Sequence, residues 1–225
     1  FTTALLRALS THQRQLVHPQ ELAEMACHIE IDRLGEPIGK QDQYISSWGG
    51  IREFTFKKDG KVTNKVLYED EDDYIDLKNN LVLVYTGKTR RASSILLEQK
   101  EKSEINHDAM IKNLDKVKAM GKEFSLLLRN KDFGSYGRLL HEHWLLKKER
   151  SEAMSNSKID DLYEFGLSNG SNGGKIIGAG GGGFFLFYVN LSKQKYFIKH
   201  LSKLISVPFK FSYEGSKIMF KNLRN

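Results

Sequence analysis

The sequence predicts an α+β fold, and three observations predict it. Segments with apolar residues at helical spacing alternate along the chain with short runs rich in β-branched and aromatic residues. Asp-Gly and glycine-rich punctuation separates them, and the last two apolar runs read as an antiparallel pair of strands.

The elements justify this in order. FTTALLRALS places Ala4, Leu5, Ala8 and Leu9 on one helical face from the first residues, with no capping segment ahead of it, so the chain reads as entered in mid-domain. PQELAEMACHIEIDRLG begins at Pro19 with acidic residues in its first turn, spaces Leu22, Met25, Ala26 and Ile29 for a packed face, and stops at Gly35. IREFTFKKDGKVTNKVLYED alternates on both sides of Asp59-Gly60, a hairpin pattern. A polar, acidic connection over 69–79, read as a solvated loop where Glu69 to Asp73 crowd together, leads to the apolar strand LVLVYTG. A boundary there divides the chain into 1–79 and 80–225.

The second part reads as that strand, a long helical region from about Arg91 to Asn130 with a break near Glu104, and a helix through YGRLLHEHWLLKKER. A helix over about Ile159–Leu167 precedes the strand-like KIIGAGGGGFFLFYV. KQKYFIKHLSKLIS is amphipathic at helical spacing, and VPFKFSYE and SKIMFKN close the chain as strands. Strands separated by helices in this way point to a sandwich of the ferredoxin-like type.

Composition narrows the class. The 225 residues are 40% hydrophobic and 28% charged, which is ordinary for a globular protein with one large or two modest cores. A single cysteine, Cys27, excludes an internal disulfide framework and a cysteine-rich zinc site; its neighbours in sequence hold nothing that would activate it, so it reads as a small buried residue. No apolar run is long enough to cross a bilayer and the amino end lacks the order of a secretory signal, so the expected setting is cytoplasmic, away from membranes. The net charge of +7 is spread along the chain and interleaved with acid, which suits an anionic substrate better than nucleic acid, since neither a basic stripe nor an aromatic RNA-binding motif is present.

Two stretches carry chemistry. In KIIGAGGGGFFLFYV, glycines at 178, 180, 181, 182 and 183 sit among Ile176, Ile177, Phe184, Phe185 and Leu186; glycine in apolar company marks backbone that takes positive φ or is closely approached, more often than it marks a linker. In HIEIDRLGEPIGKQDQYISSWGG, Glu30 and Asp32 end a helix, Gly35, Pro37 and Gly39 shape a loop, and Asp42 opens the next helix, where local pattern alone is equally satisfied by a cap.

GEPIGKQDQYISSWGG resembles the loop of the GHMP small-molecule kinases (galactokinase, homoserine kinase, mevalonate kinase, phosphomevalonate kinase) that presents the catalytic carboxylate. KIIGAGGGGFFLFYV resembles their third, glycine-rich motif, and the two match in order and separation over essentially the whole chain. HIEIDRLGEPIGKQDQY, YTGKTRRAS, LHEHWLLKKERS, SNSKIDDLYEFG and VPFKFSYEGSKIMF are similar, within that superfamily, to segments of bacterial D-glycero-D-manno-heptose 7-phosphate kinases. The resemblance implies the remainder of a ribosomal-protein-S5-like amino-terminal domain, a ferredoxin-like carboxy-terminal domain and an active site between them. The superfamily's Gly-Leu-Gly-Ser-Ser phosphate loop belongs immediately before Phe1.

The same resemblance implies the roles. Asp42 would orient the sugar's anomeric hydroxyl and accept its proton, with Lys40 holding Asp42 ionised or touching a phosphate. Glu30 would supply a carboxylate to Mg²⁺. Gly178, Ala179, Gly180, Gly181, Gly182 and Gly183 would lie without side chains against the loop that binds the ATP phosphates. Thr86 and Arg90 fall on the substrate side, where a second phosphate on the sugar wants a guanidinium. The plainer readings are a helix cap for Asp42, solvated side chains for Glu30 and Lys40, and a surface ion pair for Arg90. His141 and His143, two apart on a helix, diverge and read as packing or rim residues rather than a zinc pair. The implied activity is ATP- and Mg²⁺-dependent phosphorylation of a heptose 7-phosphate to the 1,7-bisphosphate; the alternatives are a fucose- or galactose-type anomeric kinase and a non-catalytic module that has kept the fold.

Overall fold

A computed structural model describes residues 1–68, 72–87, 92–105, 107–201 and 204–219. The chain divides into two compact units: residues 1–73 with 211–225, and residues 74–210. The division expected from sequence, after residue 79, falls six residues later in the chain, and the final segment belongs to the first unit rather than the second.

The first unit opens with helices α1 (Thr2–His12) and α2 (Pro19–Cys27). The ring Nδ1 of His18 caps α2 by accepting from the N–H of Gln20 at 3.2 Å, and Pro19 occupies the first helical position, where its missing N–H costs nothing. The expected continuation of this helix to Gly35 is different in kind: after Cys27 the backbone widens into a π-helical turn, His28–Arg33. Helix α3 (Gln41–Trp48) and the strands β1 (Ile51–Phe56) and β2 (Val62–Tyr68) follow. The strands pair antiparallel, Phe56 opposite Val62, around the expected Asp59-Gly60 turn; Gly60 has φ +83°, and Asp59 Oδ1 accepts from the N–H of Lys61. The core of this unit is Ala23, Cys27, Tyr44 and Val62, flanked by Ile31, Trp48 and Phe54.

The second unit begins within the stretch read as an acidic loop. Residues 69–71 lie outside the described residues, but Asp72–Tyr74 form a turn of 3-10 helix and Ile75–Asn79 a short α4, because Tyr74 and Leu77 are buried and anchor them despite the surrounding aspartates. Strand β3 (Leu81–Tyr85) follows, then α5 (Ala92–Ile105), α6 (His107–Arg129), α7 (Phe133–Glu149), a 3-10 turn (Glu152–Met154) and α8 (Ser157–Ser168). The expected break near Glu104 falls next to residue 106, which lies outside the described residues. Asp132 and Asn156 cap α7 and α8 through the N–H groups of Ser135 and Ile159.

The glycine-rich segment, expected as one strand, is a hairpin. β4 (Ser171–Ile176) and β5 (Phe184–Val189) pair antiparallel, Ile176 opposite Phe185, and residues 177–183 turn between them. Helix α9 (Leu191–His200) and a three-residue β6 (Ile205–Val207) complete a four-stranded sheet in the order β4-β5-β3-β6, with every neighbouring pair antiparallel. Val82, Val84, Ile176, Phe185, Phe187 and Val189 give the sheet one apolar face, and Ile95, Trp144, Ile159, Leu162, Tyr163 and Phe197 from the helices pack with them.

The closing pair of strands expected from VPFKFSYE and SKIMFKN is not formed among the described residues. Pro208 follows β6 and lacks the N–H that a continuing ladder needs. From Phe211 the backbone bonds within the first unit instead: Gly50 donates to the carbonyl of Ser212 and Ser216 to that of Ser46, both at 2.8 Å.

Candidate active site

In the first unit, the site is built where the π-helical turn meets α3. A π turn accommodates an extra residue, and here it carries Glu30, whose carbonyl accepts from the N–H of Glu36 at 3.0 Å. One carboxylate oxygen of Glu30 accepts from the side-chain amide of Gln43. Gln43 is 4% exposed, with its own Oε1 buried and unpartnered among the described residues, so the amide is committed to holding this carboxylate.

Gln43 follows Asp42, and the contact therefore ties the turn bearing Glu30 to the first turn of the helix bearing Asp42. Asp42 is the second residue of α3, not its cap; Lys40 occupies the cap position without a side-chain hydrogen bond. The carboxylate of Asp42 is exposed and, among the described residues, forms no hydrogen bond or ion pair. A carboxylate in a helix's first turn sits in the favourable field of the free N–H groups there.

Lys40 turns away from Asp42. Its Nζ reaches the carbonyl of Gly60 at a long 3.5 Å, and it lines a cavity of about 150 Å³ together with Glu24, Cys27, His28, Asp32 and Tyr44. Cys27 is buried there as expected, and burial first of all pushes its thiol up to about 11, which keeps it protonated and inert.

In the second unit, the predicted glycines form the β4–β5 turn. Gly178, Gly180, Gly181 and Gly183 have φ of +76°, +116°, +72° and +90°, backbone that side chains with a Cβ rarely adopt. Three anchors fix the turn. Lys147 Nζ donates to the carbonyl of Gly178 at 2.5 Å and to that of Ile176 at 3.2 Å. Gly181 donates its N–H to the carbonyl of the fully buried Met154 at 2.8 Å. Thr86, just past β3, gives both its N–H (2.9 Å) and its hydroxyl (3.0 Å) to the carbonyl of Gly183. Of residues 178–183, Gly181 alone donates its amide to a protein acceptor among the described residues. Arg90 lies outside the described residues.

Sequence reasoning missed Gln43 and Lys147. Gln43 left no periodic signal. Lys147 did: it lies three residues after Trp144 and seven after Leu140, on the apolar stripe of α7, where a lysine 7% exposed is conspicuous. Around it, burial and neighbouring positive charge push Lys147 down to about 7, Lys175 to about 8 and His143 to about 3. His141 instead pairs its Nδ1 with the Tyr163 hydroxyl, and His143 packs edge-on against Phe124, so the two histidines do diverge. A larger cavity, about 480 Å³, lies among α5, α6 and the end of α7 and touches none of the predicted site residues.

The family described as GHMP kinases C terminal matches residues 124–201, a segment that contains the glycine-rich motif. The particular likeness is to the D-glycero-alpha-D-manno-heptose 7-phosphate kinase of Campylobacter jejuni, at 32% identity over 88% of this chain and 58% of that protein. A crystal structure of a sugar kinase from Campylobacter jejuni superposes with a TM-score of 0.72 at 29% identity, covering 95% of this chain and 61% of that one. A D-glycero-D-manno-heptose 1-phosphate kinase from Bacteroides thetaiotaomicron shares the fold, with a TM-score of 0.73 over 95% of this chain and 59% of that one at 23% identity. The chain thus spans less than two thirds of the relatives it matches. Other relatives and neighbours include mevalonate kinases and a galactokinase.

Proposed function

We propose that this chain is the greater part of an ATP-dependent sugar kinase that phosphorylates the anomeric hydroxyl of D-glycero-D-manno-heptose 7-phosphate, giving the 1,7-bisphosphate and ADP. The observation that carries the reading is the β4–β5 turn: six small residues, five of them glycines at positive φ, anchored by Lys147, Met154 and Thr86 so that, among the described residues, Gly181 alone spends its amide on a protein acceptor. Amides presented in this way form an anion cradle, and the absent side chains admit a phosphoryl group. The turn lies in the segment that matches the GHMP kinases. The strand order β4-β5-β3-β6 supports reading the second unit, residues 74–210, as the ferredoxin-like domain of that family, and the first unit, residues 1–73 with 211–225, is read as the rest of its amino-terminal domain.

Phosphoryl transfer asks for alignment and for charge neutralisation, with little covalent chemistry from the protein. Asp42, exposed and unpaired, accepts the proton of the anomeric hydroxyl as its oxygen bonds to the γ-phosphorus and the bond to the ADP oxygen breaks. Glu30 offers a hard carboxylate oxygen that suits Mg²⁺, and Gln43 leaves one Glu30 oxygen open for it. Mg²⁺ would neutralise phosphate charge when bound. Arg90 is assigned to the acceptor side, whereas Thr86, whose N–H and hydroxyl both go to Gly183, is assigned to holding the glycine turn, and Lys40, directed at Gly60, is given no part in the transfer.

The test is Asp42→Asn in the intact protein, assayed by ADP release with heptose 7-phosphate, galactose, fucose and mevalonate as acceptors. Turnover of the heptose phosphate should fall by roughly 10² to 10⁴ while the ATP KM changes little. Near-normal turnover removes Asp42 from the mechanism, and a preference for another acceptor replaces the heptose.

A further inference from the structure

β4 is an edge strand, so its outward carbonyls have no strand to accept from. Ile177 donates its N–H across to Phe184 on β5 at 2.8 Å, and the carbonyl of Ile176, on the opposite side of the same peptide, points out of the sheet. Lys147 Nζ meets that carbonyl and the next outward one, Gly178, at the point where the chain leaves the strand and enters its glycines. The lysine reaches there from the buried stripe of α7, with Trp144 and Leu140 on its own helix packed into the core. Neither of its acceptors is a carboxylate. A buried ammonium spent on two main-chain carbonyls does nothing for an ion pair; what it does is fix the direction of those two peptides.

We propose that Lys147 is the positioning residue of the glycine turn, locking its first bend so that the following amides remain presented as a group. For its role in phosphoryl transfer the inference rests on the kinase reading; the hold on the turn rests on the two hydrogen bonds. Burial first, then the charges of Lys175 on β4 and Arg150 on α7, bring Lys147 down to about 7, with His143 one turn earlier on α7 held neutral. The hold is consequently strongest in the ammonium form, since a charged donor bonds more strongly than a neutral amine.

The experiment compares the intact protein with Lys147→Met and Lys147→Arg by amide hydrogen exchange and by kinetics with ATP. In Lys147→Met, protection of the two bonded turn amides, Ile177 and Gly181, should drop at least about tenfold while β3 and α8 keep theirs, and kcat/KM for ATP should fall by a similar factor. Lys147→Arg should restore most of both. In the parent protein, kcat/KM for ATP and the intrinsic-rate-corrected protection of the turn should decline as pH rises through about 7, a dependence that Lys147→Met abolishes. Unchanged protection of the turn in Lys147→Met overturns the proposal, as does a loss spread evenly over the second unit that arginine fails to restore. Should Lys147→Met not fold, Lys147→Gln decides: unchanged protection of Ile177 and Gly181 in that variant overturns it. A turn that loosens as expected in a protein that phosphorylates no acceptor refutes the kinase reading and leaves the hold standing.

Discussion

Gly178 and Gly180 stand two residues apart in one turn and need glycine for different reasons. At Gly178, φ is +76° and an added Cβ would meet open space, so only backbone strain resists a side chain. At Gly180, φ is +116° and the added carbon would overlap the sulfur of Met154, which is fully buried and cannot swing into solvent. Gly178→Ala should therefore cost about 1 kcal/mol and Gly180→Ala about 2–3 kcal/mol, read as the difference in denaturant midpoints at constant slope. Equal costs would show that Met154 yields freely. That glycine was required here was legible from its apolar neighbours. Which glycine meets which atom was not, because the 3-10 turn carrying Met154 lies some 25 residues upstream of the glycines and bears no local mark of that contact. The same holds at Glu30 and Asp42: their types and spacing were legible, whereas the tie through Gln43 depends on a widened helical turn that no periodicity announces.

Elements were read well where one face meets one core. The apolar spacing of Leu139, Leu140 and Trp144 gave α7, and the alternation on both sides of Asp59-Gly60 gave the first hairpin. Reading failed where the backbone's partners lie far away in sequence. Residues 207–214 alternate as a strand should, yet beyond Pro208 the carbonyl of Ser212 accepts from Gly50 and, a little further on, Ser216 donates to Ser46 of α3. Gly215 is the close contact of this docking: a Cβ there would overlap the carbonyl of Ser47, and Gly49 lies equally tight against Glu214. Arg7 adds a clasp, donating from Nε to the carbonyl of Ser216 and from Nη1 to that of Val17. Gly215→Ala should destabilise the first unit by about 1–3 kcal/mol and open residues 211–219 to protease, checked by limited digestion with mass spectrometry. Undiminished resistance would mean that the segment is held by something other than this close approach.

Across the whole chain, the buried titratable groups set how stability depends on pH. His143, held at about 3 against its usual 6.5, refuses a proton that the unfolded chain takes up, so stability is lost as pH falls from about 6.5 towards 3. Glu98, whose carboxylate is favoured by Ser151 and Lys102, is lowered and works in the same direction at its own acid range. Lys147 and Lys175, at about 7 and 8 against 10.5, are proton-poor when folded, so their burial penalty is fully present below about 7 and disappears as pH rises towards 10.5. Cys27 and Tyr44, pushed up to about 11 and 12, reverse the trend above about pH 9. The melting temperature should accordingly climb from pH 5 to about 9 and then turn down, measurable by calorimetry in matched ionic strength. His143→Gln should flatten the acid limb, whose slope is at most about 1.4 kcal/mol per pH unit for one proton. A maximum below pH 7 would contradict this account.

The four-stranded sheet is finished differently at its two borders. Along β4 the side chain of Lys147 takes the outward carbonyls that another molecule's strand would seek, and on the far side β6 is only three residues long before Pro208 breaks the ladder. Among the described residues each rim is thus interrupted, one by a lysine at the end of β4 and the other by a proline after β6, and interruptions of this kind disfavour edge-to-edge polymerisation.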